Sequence, residues 1–184
     1  MDAIGCLFIG DIAAGKRGFT GPFPFTQLDG VALRPFVPEG GALWEELQSA
    51  LQRVRREFGG VSLLAVGRGC FAALALSVQL PVDRLALVWP RRGEGPLRRM
   101  ERFARGNLAL CVCDTLVVGG EGCLPALRAG GLGAHSRLTW LRSRGEGGLR
   151  FAEDGLNLAL SRFLRTGELP KSLAENLEMC IIYG

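Results

Sequence analysis

Val61-Ser62-Leu63-Leu64-Ala65-Val66-Gly67-Arg68-Gly69-Cys70-Phe71-Ala72-Ala73-Leu74-Ala75-Leu76 is the stretch that decides how the chain is read. It opens as an apolar run without polar alternation, the pattern of a strand covered on both faces. Two glycines separated by one arginine interrupt the run. An Ala/Leu-rich segment of high helix propensity follows. The stretch therefore predicts a buried strand, a sharp turn and a helix. Such a turn sits at the C-terminal edge of a parallel sheet, where open α/β sheets bind their ligands.

Upstream, Ala3–Ile9 reads as another buried strand, ending in Gly10-Asp11-Ile12-Ala13-Ala14-Gly15-Lys16-Arg17. The spacing matches the G-x-x-x-x-G-K of a phosphate-binding loop, but Arg17 stands where Ser or Thr would hold magnesium. No long helix can follow, because Gly18, Gly21, Pro22 and Pro24 break the next segment. The favoured reading is a glycine-rich loop leaving a strand, with no nucleotide cofactor. Phe19, Phe23 and Phe25 in that loop either pack it onto the core or line a pocket above the sheet. Val31–Phe36 is a short strand. A helix over Ala42–Phe58 follows, with Leu43, Leu47, Leu51, Val54 and Phe58 forming one stripe.

Downstream, Arg84–Trp89 is a strand. The segment Arg91–Arg105 carries six arginines against Glu94 and Glu101, with a helix starting at Pro96. A solvated face is the simpler expectation for it, and anion binding is the alternative. Leu108–Val118 reads as a strand, Leu124–Ala129 as a short helix, Ser136–Leu141 as a strand and Asp154–Arg165 as an amphipathic helix. The tail Leu169–Gly184 reads as a further helix. Strands alternating with helices predict an α/β three-layer sandwich built on a mainly parallel sheet of about six strands, in a single domain.

Composition narrows the function. The net charge is +4, and 20 of the 22 basic residues are arginines spread along the chain, without the interleaved aromatics of a nucleic-acid surface. No apolar run approaches the length of a membrane span, and the N-terminal run carries Asp2 and no basic n-region and is too short for a signal sequence, so a cytoplasmic protein without a membrane partner is expected. The six cysteines include no C-x-x-C pair, and His135 is the only histidine, so no metal site is expected. Most of the cysteines lie in apolar runs, as small core residues do.

The pattern resembles the α/β-hydrolase family over about residues 3 to 166. Leu7-Phe8-Ile9-Gly10 resembles the strand and glycine that open the oxyanion loop. Leu64–Ala75 resembles the nucleophile elbow and its helix. Val117-Val118-Gly119-Gly120-Glu121 resembles the strand end before the acid, and Leu138–Arg142 with Arg144-Gly145-Glu146-Gly147-Gly148 the last strand and the loop that carries the base. The family's two leading antiparallel strands and its lid are missing from this pattern.

The resemblance implies a nucleophile at the turn, and the residues depart from that. In the register that best fits the motif, Gly67 is the small residue, Arg68 the variable one and Gly69 holds the nucleophile's strained position. In a second register Cys70 is the nucleophile, with Glu121 or Glu146 assisting, and Arg68 at a helix N-terminus would lower its pKa. His135 precedes the last strand, which places it at the opposite edge of the sheet, a strand length of roughly 20 Å away. Two expectations follow. One is a non-catalytic relative that binds a small apolar or acyl ligand, or a protein partner, around Gly10, Asp11, Gly67, Arg68, Gly69 and Phe71. The other is a cysteine-dependent ester or thioester hydrolase or acyltransferase using Cys70.

Overall fold

The computed structural model describes residues 3–10, 28–120, 123–142, 153–170 and 179–182. The first strand, β1 (Ile4–Ile9), pairs in parallel with β2 (Val31–Pro35) on one side and with β3 (Ser62–Val66) on the other. Then β4 (Arg84–Val88), β5 (Asp114–Gly119) and β6 (Leu138–Arg142) add in parallel in chain order. A seventh strand, β7 (Met179–Ile182), lies antiparallel on β6, so the sheet order is β2-β1-β3-β4-β5-β6-β7.

The inner strands β1, β3, β4 and β5 are mostly apolar because both faces are covered, whereas the edge strand β2 carries an exposed Arg34. On one face Leu7, Leu63, Leu85 and Val117 share a core with Leu47 and Leu51 of α1 (Leu43–Phe58), Leu74 of α2 (Gly69–Gln79), Leu97 of α3 (Pro96–Gly106) and Leu127 of α4 (Cys123–Ala129). The neighbouring strand residues Phe8, Leu64, Ala86 and Leu116 point to the other face, where they meet Leu156, Leu160 and Phe163 of α5 (Glu153–Thr166). This alternation is the period of a strand, read twice. Four successive strands advancing in one direction with right-handed connections put α1 to α4 on one face. The result is the expected three-layer α/β sandwich with a mainly parallel sheet.

Local chemistry sets the helix limits. Glu45 and Glu46 in the first turn of α1 and Arg55 and Arg56 in the last oppose the helix dipole. Gly59 ends it with φ +77°, its amide donating to the Arg55 carbonyl. Helix α2 is apolar all round because nine of its residues, Gly69 to Ser77, are buried.

Two expectations are corrected. Leu108–Val118 is not one strand: Leu108–Leu110 forms a single 3-10 turn closed by the Cys111 amide on the Leu108 carbonyl, and β5 starts only at Asp114. Leu110 and Val112 are exposed, so the apolar run there reflects composition, not sheet membership. The end of the tail is not helical either. Its run with Ile181-Ile182 forms β7, as β-branched neighbours favour.

The chain moves from β1 to β2 in one direction and from β3 onward in the other. This reversal opens a crevice at the C-terminal ends of β1 and β3. The first turn of α2 enters that crevice with almost no clearance. A Cβ on Gly69 would overlap the Gly10 carbonyl oxygen and come within 2.7 Å of the Ile9 carbonyl oxygen. Gly69→Ala is therefore expected to destabilise the fold by about 3 kcal/mol, the upper end of overpacking costs, because the obstacles are backbone atoms. Gly67→Ala, at φ +60°, is expected to cost about 1–2 kcal/mol. Equilibrium urea unfolding of the two variants measures both.

Candidate functional site

The turn after β3 is made by Gly67. It has φ +60°, its amide donates to the Val88 carbonyl at 3.0 Å, and its carbonyl accepts the Arg91 amide at 3.0 Å. Arg68 already has helical angles (φ −68°, ψ −24°) and Gly69 is the first residue of α2. The left-handed residue is thus Gly67, and the register expected from sequence, which puts Gly69 at the strained position, moves by two residues. The physical reason is where β3 ends. The chain must reverse at the first residue after Val66, and glycine does so without a Cβ clash. Gly69 is glycine for a different reason, its close approach to the end of β1.

Cys70 is fully buried. Its Sγ lies 3.4 Å from the Ala65 carbonyl oxygen and 3.5 Å from that of Val88, so the thiol points into the core. Phe71 is buried too, and the Arg105 guanidinium lies over its ring, 4.6 Å from the centroid. Arg68 reaches out to Glu94, with Nη1 3.1 Å from Oε2. Gly10 follows β1 directly, against Gly69. His135 is exposed in the turn before β6, at the opposite edge of the sheet from Gly67. Asp11, Glu121 and Glu146, and the phenylalanines of the early loop, lie outside the described residues.

Beside the turn is a cleft of ≈ 770 Å³. Its floor is Phe71, Pro90 and Leu127, and its walls are the segment after β4 and one side of α3. Four arginines line it, Arg92, Arg98, Arg102 and Arg105, against two glutamates, Glu94 and Glu101. Glu101 is 8% exposed and organises the walls. One of its oxygens accepts the Gly93 amide at 2.7 Å and the other accepts Arg105 Nε at 2.9 Å. Arg92, Arg98 and Arg102 have no acidic partner among the described residues.

The loop leaves the sheet through Trp89. It has φ +52°, and it is the only non-glycine residue with positive φ among the described residues. Its amide donates to the Val118 carbonyl at 2.7 Å. A bulky residue held there carries strain of order 1–3 kcal/mol and redirects the chain toward the cleft wall. Sequence reading misses Trp89, Glu101 and Arg105 as site residues. The strain at Trp89 leaves no signal in sequence. Glu101 does leave one: it falls on the flank of the inward stripe Leu97, Met100 and Ala104, and a carboxylate so placed needs hydrogen-bond partners.

The perturbed thiols lie away from the turn. Burial pushes the Cys6 thiol up. Cys111 and Cys113 lie before β5, at the other edge, with Sγ atoms 3.6 Å apart. The contact with Cys113 pulls the Cys111 thiol down and pushes that of Cys113 up, so the pair holds its protons unequally. No cluster of three or more His, Cys, Asp or Glu placed to hold a metal occurs among the described residues. No described helix is long and apolar enough to cross a membrane.

No protein-family model matches the sequence, and no curated protein does. The geometry of the cleft gives a direct test of its organisation. Glu101→Gln keeps the shape of the side chain and replaces one charged acceptor by a donor. Loss of a buried charged hydrogen bond predicts a stability decrease of about 1.5–3 kcal/mol by denaturant unfolding. Glu94→Gln, at a side chain 65% exposed, is expected to change stability by less than about 1 kcal/mol.

Proposed function

We propose that the protein is a catalytically silent relative of the α/β-hydrolases that binds a small ligand at the C-terminal edge of its sheet, beside the Gly67 turn. The observation that carries this reading is the backbone of Gly67. It is the left-handed residue of a strand–turn–helix unit, and Ala65 and Gly69 stand two residues before and after it. That is the small-x-nucleophile-x-small spacing of a nucleophile elbow. The residue in the nucleophile's place has no side chain.

Among the described residues the other parts of a hydrolytic site do not gather at the turn, which supports this reading. A serine or cysteine nucleophile needs a base to activate it. The chain has one histidine, and it lies at the far edge. Cys70, the remaining candidate nucleophile, has its thiol among core side chains and two backbone carbonyls. With no accessible nucleophile and no imidazole beside the turn among the described residues, an edge with an organised cleft is suited to binding. The strand order, with its crevice at β1 and β3, supports a ligand at that edge. Cys6, Cys70, Cys111 and Cys113 are buried as thiols and not joined in disulfides, which suits a reducing, cytoplasmic setting.

The test has two parts. p-Nitrophenyl butyrate and an acyl thioester are expected to hydrolyse at the buffer rate in the presence of the purified protein. Thiol labelling followed by peptide mapping is expected to leave Cys70 unmodified in the native protein and to label it fully in denaturant. Ester turnover that is lost in Cys70→Ser, with labelling of native Cys70, would establish the cysteine-hydrolase reading instead.

A further inference from the structure

We infer that the arginine-lined cleft takes a small amphiphilic oxyanion, a carboxylate or phosphate head on an apolar body; this deepens the ligand-binding reading above and rests on it. The charge balance comes first. Four arginines against two glutamates give the lining a net charge of +2. Both glutamates are already engaged, Glu94 by Arg68 and Glu101 by Arg105 and the Gly93 amide. Arg92, Arg98 and Arg102 are left without an acidic partner among the described residues. Three guanidinium groups converging on one cleft favour an acceptor with several oxygens, since each presents a planar fork of donors.

The placement of these groups follows from helix geometry. Arg98, Arg102 and Arg105 are spaced four and three residues apart on α3, so they stand on one face. The same face turns toward the cleft, while Leu97, Met100 and Ala104 fasten the helix to the core. Glu101 fixes the parts that are closest to the floor. It holds Arg105 over Phe71 and pins the wall segment at Gly93. The Gly93 wall and Arg105 are therefore held in place before any ligand arrives, which lowers that part of the ordering cost of binding.

The floor selects the body of the ligand. Phe71 and Leu127 are buried beneath the arginines, and the apolar surface left open in the lining is that of half-buried Pro90 and exposed Ala126. A free inorganic anion would leave that surface uncovered, whereas an alkyl or aryl anion covers it. The volume of ≈ 770 Å³ lies within the range of small-molecule sites. A nucleic acid would need an open aromatic face for stacking, and the Phe71 ring is covered by Arg105. The cleft adjoins the Gly67 turn through two links, the Arg91 amide on the Gly67 carbonyl and the Arg68–Glu94 pair. The head group so placed sits beside the turn without meeting a nucleophile.

Calorimetric titration of the full chain with octanoate, octyl phosphate, octanol and octyltrimethylammonium, all below micelle formation, tests the inference. Octanoate and octyl phosphate are expected to bind at one site per chain, and octanol at least about tenfold more weakly, the loss of roughly one charged hydrogen bond. The cation is expected not to bind. The stronger of the two anions identifies the head group. Arg98→Gln with Arg102→Gln is expected to weaken the anions by at least about tenfold and to leave octanol unchanged. Arg53→Gln with Arg56→Gln, on α1 outside the cleft, is expected to change nothing. Both pairs are exposed, so thermal unfolding is expected to be unaltered, and rising salt must weaken anion binding by the wild-type protein whatever the variants do.

Octanol binding as tightly as the anions, equal anion binding by the Arg98/Arg102 variant, or no anion binding at all would overturn the assignment. The first of these would leave a silent ligand-binding edge standing without the anion. Ester turnover by the wild-type protein would remove the silent reading while the titration still decides the anion.

Discussion

Helix α2 begins in contact with the backbone of β1. Its first residue, Gly69, has no Cβ, and the carbonyl oxygens of Ile9 and Gly10 occupy the space a Cβ would need. Much of the structure depends on this approach. It seats the most deeply buried helix across the crevice between β1 and β3, with Cys70, Phe71 and Leu74 already inside the core at its first two turns. Helices α1 and α3 then pack around a helix whose position is set by backbone atoms and not by adaptable side chains. Interiors at this density respond to an added methyl group with backbone shifts.

The same approach determines what the edge can do. With α2 held so close, the chain has one residue, Gly67, in which to reverse after Val66. The side chains that follow divide by helix geometry: Arg68 reaches the rim, Cys70 turns inward and Phe71 becomes the floor of the cleft. The thiol with the best position in sequence is thus the one that the fold removes from solvent. What the described residues of the edge offer is hydrogen bonding and charge. The Gly67 carbonyl holds the Arg91 amide, and Glu101 holds Gly93 and Arg105, so turn and cleft walls form one connected frame.

Most of the layer structure is legible in the sequence, because it rests on local period. The continuous apolar runs at Leu63–Val66 and Leu85–Val88 and the stripe Leu43–Phe58 each have one economical interpretation, and the sheet and helices follow from them. The errors occur where apolar composition is not tied to period. Leu110 and Val112 are apolar and exposed, so the strand there is read too long. The tail strand β7 depends on pairing with β6, a long-range choice that no local window contains. At the site, the presence of a glycine turn is legible, but the position of the strained residue is not. Gly67 and Gly69 look alike in sequence, and only the backbone separates a left-handed turn from a tight approach. The arginines of 91–105 are visible too, yet their meaning depends on Glu101 being inside and on Arg105 lying over Phe71, facts of packing.

The C-terminal edge beside Gly67 is proposed to bind an anionic ligand. Amide chemical-shift mapping of the uniformly labelled protein during titration with octanoate tests this most directly. Saturable shifts are expected at Gly67 to Phe71, in the segment from Arg91 to Gly95, along Arg98 to Arg105 and near Leu127. Shifts centred on α1 or around Cys111 and His135 at the opposite edge, or no saturable shifts, would contradict it.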